Sequence, residues 1–136
     1  MNMKRKLPSV LLIDDDSVTN FLNKKVIEQA KITEHVEVKL NGKEALSFLT
    51  DKESSPALIL LDINMPVMDG WEFLQAYQQE ALDKKNKTNI ILLSTSSNPD
   101  DIERAKSLPF VCDFKSKPLT SEILKEIIHN YFEEYL

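Results

Sequence analysis

Three short runs of the chain contain no polar residue: Val10-Leu11-Leu12-Ile13, Leu58-Ile59-Leu60-Leu61 and Ile90-Ile91-Leu92-Leu93. An all-apolar run of this length is how a strand covered on both faces reads, as in a parallel sheet. Two other stretches, Val36 to Leu40 and Val111 to Ser116, alternate as half-exposed edge strands do. Helical spacing fills the gaps. Ser17 is an N-cap residue, and Val18, Phe21, Leu22, Val26 and Ala30 predict a helix from about Val18 to Ala30. Asn41-Gly42 makes a turn before a short helix marked by Ala45, Leu46, Phe48 and Leu49, and Ser54-Ser55-Pro56 punctuates before the next strand. Trp71, Phe73, Leu74 and Tyr77 mark a third helix, which runs into a polar, solvated connection over 83–89. Pro99 opens a fourth, with Ile102 and Ala105 inward. Ser121 caps the last, where Ile123, Leu124, Ile127, Ile128, Tyr131, Phe132 and Tyr135 form one continuous stripe.

Strand and helix therefore alternate five times, which predicts an α/β fold: (βα)5, doubly wound around a five-stranded parallel sheet. The flavodoxin-like order 2-1-3-4-5 places the first, third and fourth strands inside, and those are the three all-apolar runs. With 136 residues and 42% hydrophobic content, the chain fits one core, in a domain over 7–136 behind a short basic tail over 1–6. Lys4-Arg5-Lys6 reads as a solvated segment. A formal net charge of -5 argues against a nucleic-acid partner. Cys112 is the single cysteine, which excludes an intrachain disulfide and a cysteine metal site. Pro8 and Ser9 interrupt any leader-like stretch, and no run approaches the roughly 20 apolar residues of a membrane span. The expectation is a cytoplasmic domain with no membrane partner.

The chemistry lies where the apolar runs stop. The first ends in Asp14-Asp15-Asp16, the second in Asp62, the third in Ser94, and the last strand closes on Lys117-Pro118. Open α/β sheets bind their ligands at the carboxyl ends of strands, so these distant residues should meet at one rim. Carboxylates crowded together repel, and a hard cation such as Mg²⁺ relieves them. A carboxylate can also attack phosphorus, provided cations and a hydroxyl hold the phosphoryl oxygens.

Taken together, Leu11-Leu12-Ile13-Asp14-Asp15-Asp16, Leu61-Asp62-Ile63-Asn64-Met65-Pro66-Val67-Met68-Asp69-Gly70, Leu93-Ser94-Thr95 and Lys117-Pro118 resemble the response-regulator receiver domain, the CheY-like family of two-component signalling. The resemblance runs from about Leu7 to the C-terminus. It implies that Asp62 is the phosphoacceptor. Asp14 and Asp15 would form the Mg²⁺ pocket, Asp15 as the direct ligand, with Asn64 offering its backbone carbonyl. Ser94 would be the hydroxyl that moves toward the phosphoryl group, Lys117 its ion-pair partner, and Phe114 the aromatic that swings inward. The expected donor is a histidine kinase or phosphotransfer protein, and the expected output an unnamed downstream protein, reached by binding or by phosphoryl relay. Such a stand-alone receiver assists its own phosphorylation and dephosphorylation and is not a turnover enzyme.

Blander readings stand beside these. Asp14-Asp15 can be a strand terminus facing a helix dipole, and Asp62 a cap. Ser94 lies in a Ser/Thr cluster, so Thr95 or Ser96 can take its role, and Phe114 can be plain core. Lys115 shares a strand facing with Lys117, but only Lys117 precedes proline. Asp69 reads as a turn residue before Gly70, not a ligand. The segment from Ser107 to Asp113 lacks the glycine frequent in the family, and the fourth helix should end at Pro109. Two rivals differ in class: a phosphorylation-independent interaction module on the same fold, and a small phosphatase with an aspartate nucleophile.

Overall fold

The computed structural model describes residues 2–51, 55–85, 87–95 and 98–136. Ser54, Ser96 and Ser97 lie outside them. The three apolar runs are strands β1 (Val10–Ile13), β3 (Leu58–Asp62) and β4 (Asn89–Ser94), and the edges are β2 (Val36–Lys39) and β5 (Val111–Ser116). All five are parallel, in the order 2-1-3-4-5. In register, Val10 stands beside Val36 and Leu58, and Asp62 beside Leu93. Between β4 and β5 the register slips at Ile90/Ile91, so Cys112 falls in a bulge.

Alternate strand residues feed two cores. Val10, Leu12, Leu58, Leu60, Ile91 and Leu93 pack with Ile27 of α1 (Ser17–Ala30) and with Leu124, Ile127 and Ile128 of α6 (Ser121–Tyr131). Leu11, Ile13, Ile59, Leu61, Ile90 and Leu92 pack on the other face. Their partners are Ala45 and Leu49 of α2 (Gly42–Asp51), Phe73, Leu74 and Tyr77 of α3 (Gly70–Gln79), and Ala105 of α5 (Pro99–Lys106). Burial on both sides explains why 10–13, 58–61 and 90–93, the covered parts of the central strands, are apolar throughout, while Asn89 at the start of β4 is only half-buried.

Several local expectations shift. The caps fall one residue early: Asp16, not Ser17, accepts from the Val18 and Thr19 amides, and Thr120, not Ser121, accepts from Ile123. The connection after α3 contains a one-turn helix, α4 (Leu82–Lys85), because Leu82 finds a place in the core. The fourth predicted helix, α5, ends at Lys106 with Ser107 as its cap, ahead of Pro109.

The largest departure is in α1. Of the apolar residues that mark the helix, Val26 and Ala30 are half-buried against the core, but Val18, Phe21 and Leu22 are 65%, 59% and 56% exposed, and the fully buried positions are Asn20, Asn23 and Ile27. The basic N-terminal side chains are exposed, as expected, but their backbone is tied down. Met3 packs on the core, Lys4 N–H donates to the Tyr135 carbonyl at 2.6 Å, and the Arg5 guanidinium lies 4.0 Å over the Tyr135 ring. Among the described residues no helix is long and apolar enough to cross a membrane.

Candidate functional site

The rim at the carboxyl ends of β1, β3 and β5 gathers the residues singled out in the sequence. Carboxylate oxygens of Asp14, Asp15 and Asp62 all lie within 4.8 Å of one another. Asp14 and Asp62 are buried and Asp15 is exposed, which leaves the cluster open on one side. The Lys117 ammonium spans the buried pair, 2.7 Å from Asp14 Oδ2 and 3.2 Å from Asp62 Oδ1. Lys115 is elsewhere: its ammonium pairs with Glu126 at 2.9 Å and Asp113 at 3.6 Å.

Each member is placed by its strand end. Asp14 N–H still donates to Lys39 of β2, and Asp14 Oδ1 accepts the Asp16 amide at 2.9 Å. Asp16 turns away to cap α1, and its carboxyl is held below the usual range by the Thr19 hydroxyl and the Thr19 and Val18 amides. The third aspartate of the triplet is thus structural. Asp62 ends β3, and Asn64 donates its backbone N–H toward Asp62 Oδ1 at 3.4 Å. The loop beyond folds back sharply, with Gly70 N–H on the Ile63 carbonyl at 2.8 Å. A Cβ on Gly70 would meet Ile63 Cα at 2.7 Å and Asp62 O at 2.8 Å, so this approach admits only glycine. Asp69 closes the loop as the N-cap of α3 in a reciprocal capping box with Glu72.

Ser94 is buried at the end of β4, one residue past the Leu93–Asp62 pair, and its carbonyl accepts the Lys117 amide at 2.8 Å. Thr95 is exposed and lines a groove of about 280 Å³ with Thr19, Leu22, Asn23, Pro118 and Leu119, Lys117 being shared with the acid cluster. Phe114 does not join the acids. It is half-buried against the α5 side of the sheet, beside Ile102 and Ala105, and packs as core in this conformation.

The electrostatics follow from burial. Asp62 is pushed above the ordinary carboxylate value by desolvation and by the charge of Asp14, against the pull of Lys117. For Lys117, burial works against the ammonium, but the hydrogen bond to Asp14 and the charge of Asp62 outweigh it and hold the pKa above its usual value. Three carboxylates facing one lysine keep a formal excess of negative charge, and every donor is oxygen. That donor set suits a hard divalent cation such as Mg²⁺, not a metal that prefers nitrogen or sulfur.

The family model of the response regulator receiver domain matches residues 10–129. The chain belongs to that family. The solved structure of a two-component response regulator from Cytophaga hutchinsonii is 36% identical to this receiver, with a TM-score of 0.87 over 95% of this chain and 99% of that one. Two-component response regulator ORR41 of Oryza sativa subsp. japonica is 30% identical over 129 residues, 95% of this chain and 98% of its own length. Other relatives are longer. The receiver spans 54% of the probable C4-dicarboxylate response regulator DctR of Bacillus subtilis, at 30% identity over 95% of this chain.

Two features of the rim are missed by sequence reasoning. Asn20 reaches back from α1 to the Asp14 carbonyl at 2.8 Å, and Val67 adopts a left-handed backbone in the loop after Asp62. The recurrence of Asn20, Asn23 and Ile27 at helical spacing, a second possible inward face, is the signal that could have exposed the first; Val67 carries none.

Proposed function

We propose that this receiver accepts a phosphoryl group on Asp62 from the phosphohistidine of a histidine kinase or phosphotransfer protein. Mg²⁺ would be held by Asp14, Asp15, Asp62 and the backbone carbonyl of Asn64. One observation carries the reading: acids from two strands converge within 4.8 Å, and a single lysine spans the two buried ones.

In the transfer, an Asp62 oxygen forms the new bond to phosphorus as the phosphorus–nitrogen bond breaks. The electron pair leaves on the imidazole, which is protonated on its other nitrogen and departs neutral. Bound Mg²⁺ supplies charge neutralisation for the phosphoryl oxygens. Lys117, already in reach of Asp62, pairs with one of those oxygens, and the Ser94 hydroxyl takes another. The added negative charge draws Lys117 away from Asp14, and Ser94 and Phe114 shift with β5 and α5 to bias a two-state output surface. Water later hydrolyses the acyl phosphate, so the domain modifies itself and does not turn over a separate substrate. The exposed Val18, Phe21 and Leu22 on α1, with the groove between Leu22 and Pro118, favour a protein as the donor.

Intact mass after incubation with acetyl phosphate and Mg²⁺ tests the reading. One added phosphoryl group is expected, absent in Asp62→Ala and absent with a chelator. If wild type stays unmodified and also takes up no beryllofluoride, the reading fails and the phosphorylation-independent interaction module replaces it.

A further inference from the structure

Asp14 is held at every polar atom. Its N–H donates to Lys39, its Oδ1 accepts Asp16 N–H, its Oδ2 meets Lys117, and its carbonyl accepts Asn20 Nδ2 at 2.8 Å. The last contact has particular leverage, because that carbonyl belongs to the peptide joining Asp14 to Asp15. The peptide is planar, so fixing its oxygen fixes the direction in which Asp15 leaves. Asp15 itself is exposed, and its place beside Asp14 and Asp62 comes through this backbone.

Asn20 is a costly choice for this position. It is 3% exposed, on the face of α1 that also buries Ile27, and its Oδ1 has no hydrogen-bond partner among the described residues. An aliphatic residue would fill the same space without a stranded carbonyl. What it would not provide is the donor to Asp14. The same bond sets the rotation of α1. Successive helical residues are about 100° apart, so an inward Asn20 turns Phe21 and Leu22 outward.

We propose that Asn20 is a positioning residue for the acid pair: its bond to the Asp14 carbonyl orients Asp14 and Asp15 to hold a divalent cation and turns the apolar side of α1 to solvent at the mouth of that site. The inference rests on the Mg²⁺ reading above. It assigns to α1 a role in metal affinity that neither acid reveals by itself. Residues that hold metal ligands in place typically change affinity by about 10- to 100-fold when lost.

The test is isothermal titration of Mg²⁺ into wild type, Asn20→Ala, Asn20→Leu and Ile27→Val, each with a thermal melt. Asn20→Leu refills the volume, so it stays folded if Asn20→Ala does not. Both Asn20 variants should bind Mg²⁺ about tenfold more weakly, and Ile27→Val should melt lower with unchanged affinity. Asn20→Leu binding Mg²⁺ as wild type does would overturn the role of Asn20 alone. Wild type taking no Mg²⁺ would overturn the metal reading and this inference with it.

Discussion

Val67 stands in the loop between β3 and α3 with φ at 71°, where the Cβ of an L-residue crowds the next carbonyl. A β-branched side chain fares worst there, and a strain of about 2 kcal/mol follows from the usual range for such conformations. Its side chain is 79% exposed, so truncating it gives up little burial. Glycine removes the strain but frees the unfolded chain, which returns about 0.7 kcal/mol. Val67→Gly should therefore stabilise the domain by roughly 1 kcal/mol. For 136 residues the unfolding entropy is about 0.29 kcal/mol/K, so Tm should rise by about 3 °C. Urea unfolding should show a higher midpoint with an unchanged slope, because the surface exposed on unfolding is the same. Val67→Ala keeps a Cβ in the left-handed region and should gain only a few tenths of a kcal/mol. A Val67→Gly chain melting at or below wild type would refute the strain and with it this account of the loop.

Gly70→Ala should do the reverse. Its Cβ meets backbone at 2.7 and 2.8 Å, so the end of β3 must move, at about 2–3 kcal/mol in urea unfolding and with loss of phosphorylation by intact mass. Asp62→Asn should raise the urea midpoint at pH 7. Folded Asp62 keeps its proton above the ordinary carboxylate value, so the wild-type fold loses stability as pH rises from about 4 through the raised pKa of the folded state, and the amide does not. The advantage should shrink as pH is lowered toward about 4; equal midpoints at pH 7 would count against the electrostatics described here. The Tyr131 hydroxyl lies 2.9 Å from Asp113 Oδ2 and 3.1 Å from the Cys112 carbonyl, and burial together with Asp113 pushes its pKa up to about 12. One of the three tyrosines should ionise near there in an absorbance titration, and stability should fall as pH climbs from about 10 through that value. Tyr131→Phe should abolish that step and lower stability at neutral pH by about 1 kcal/mol.

How much of this is legible in the chain depends on the kind of force involved. The five strands, their parallel pairing and the position of the acids at their ends are written in the order of apolar and polar residues. The part of a strand covered on both faces is apolar, and the polar residues of β3 and β4 stand only at strand ends, Asp62 and Ser94 at the rim and Asn89 at the opposite end. Asp14, Asp15, Asp62, Ser94 and Lys117 are therefore visible as a set before any coordinates. What the pattern cannot supply is direction. Pro118 singles out Lys117 over Lys115 in sequence, but the ion-pair partners come only from packing, which gives Lys115 to Glu126 of α6 and Lys117 to Asp14 and Asp62.

Helix α1 makes the same point more sharply. Its spacing marks a helix, but periodicity leaves the rotation about the axis open when both apolar and polar residues recur at 3.6. The tertiary structure chooses the face, with a bond from Asn20 to the Asp14 carbonyl and with Ile27 in the core, against the hydrophobic preference of Val18, Phe21 and Leu22. The basic N-terminal residues likewise declare their charge in sequence, while their anchorage on Tyr135 depends on the two chain ends meeting. Composition and spacing determine which elements form, because burial acts on each residue where it stands. Facing, ion-pair choice and the setting of the acid pocket depend on groups far apart in the chain, and only folding brings those together.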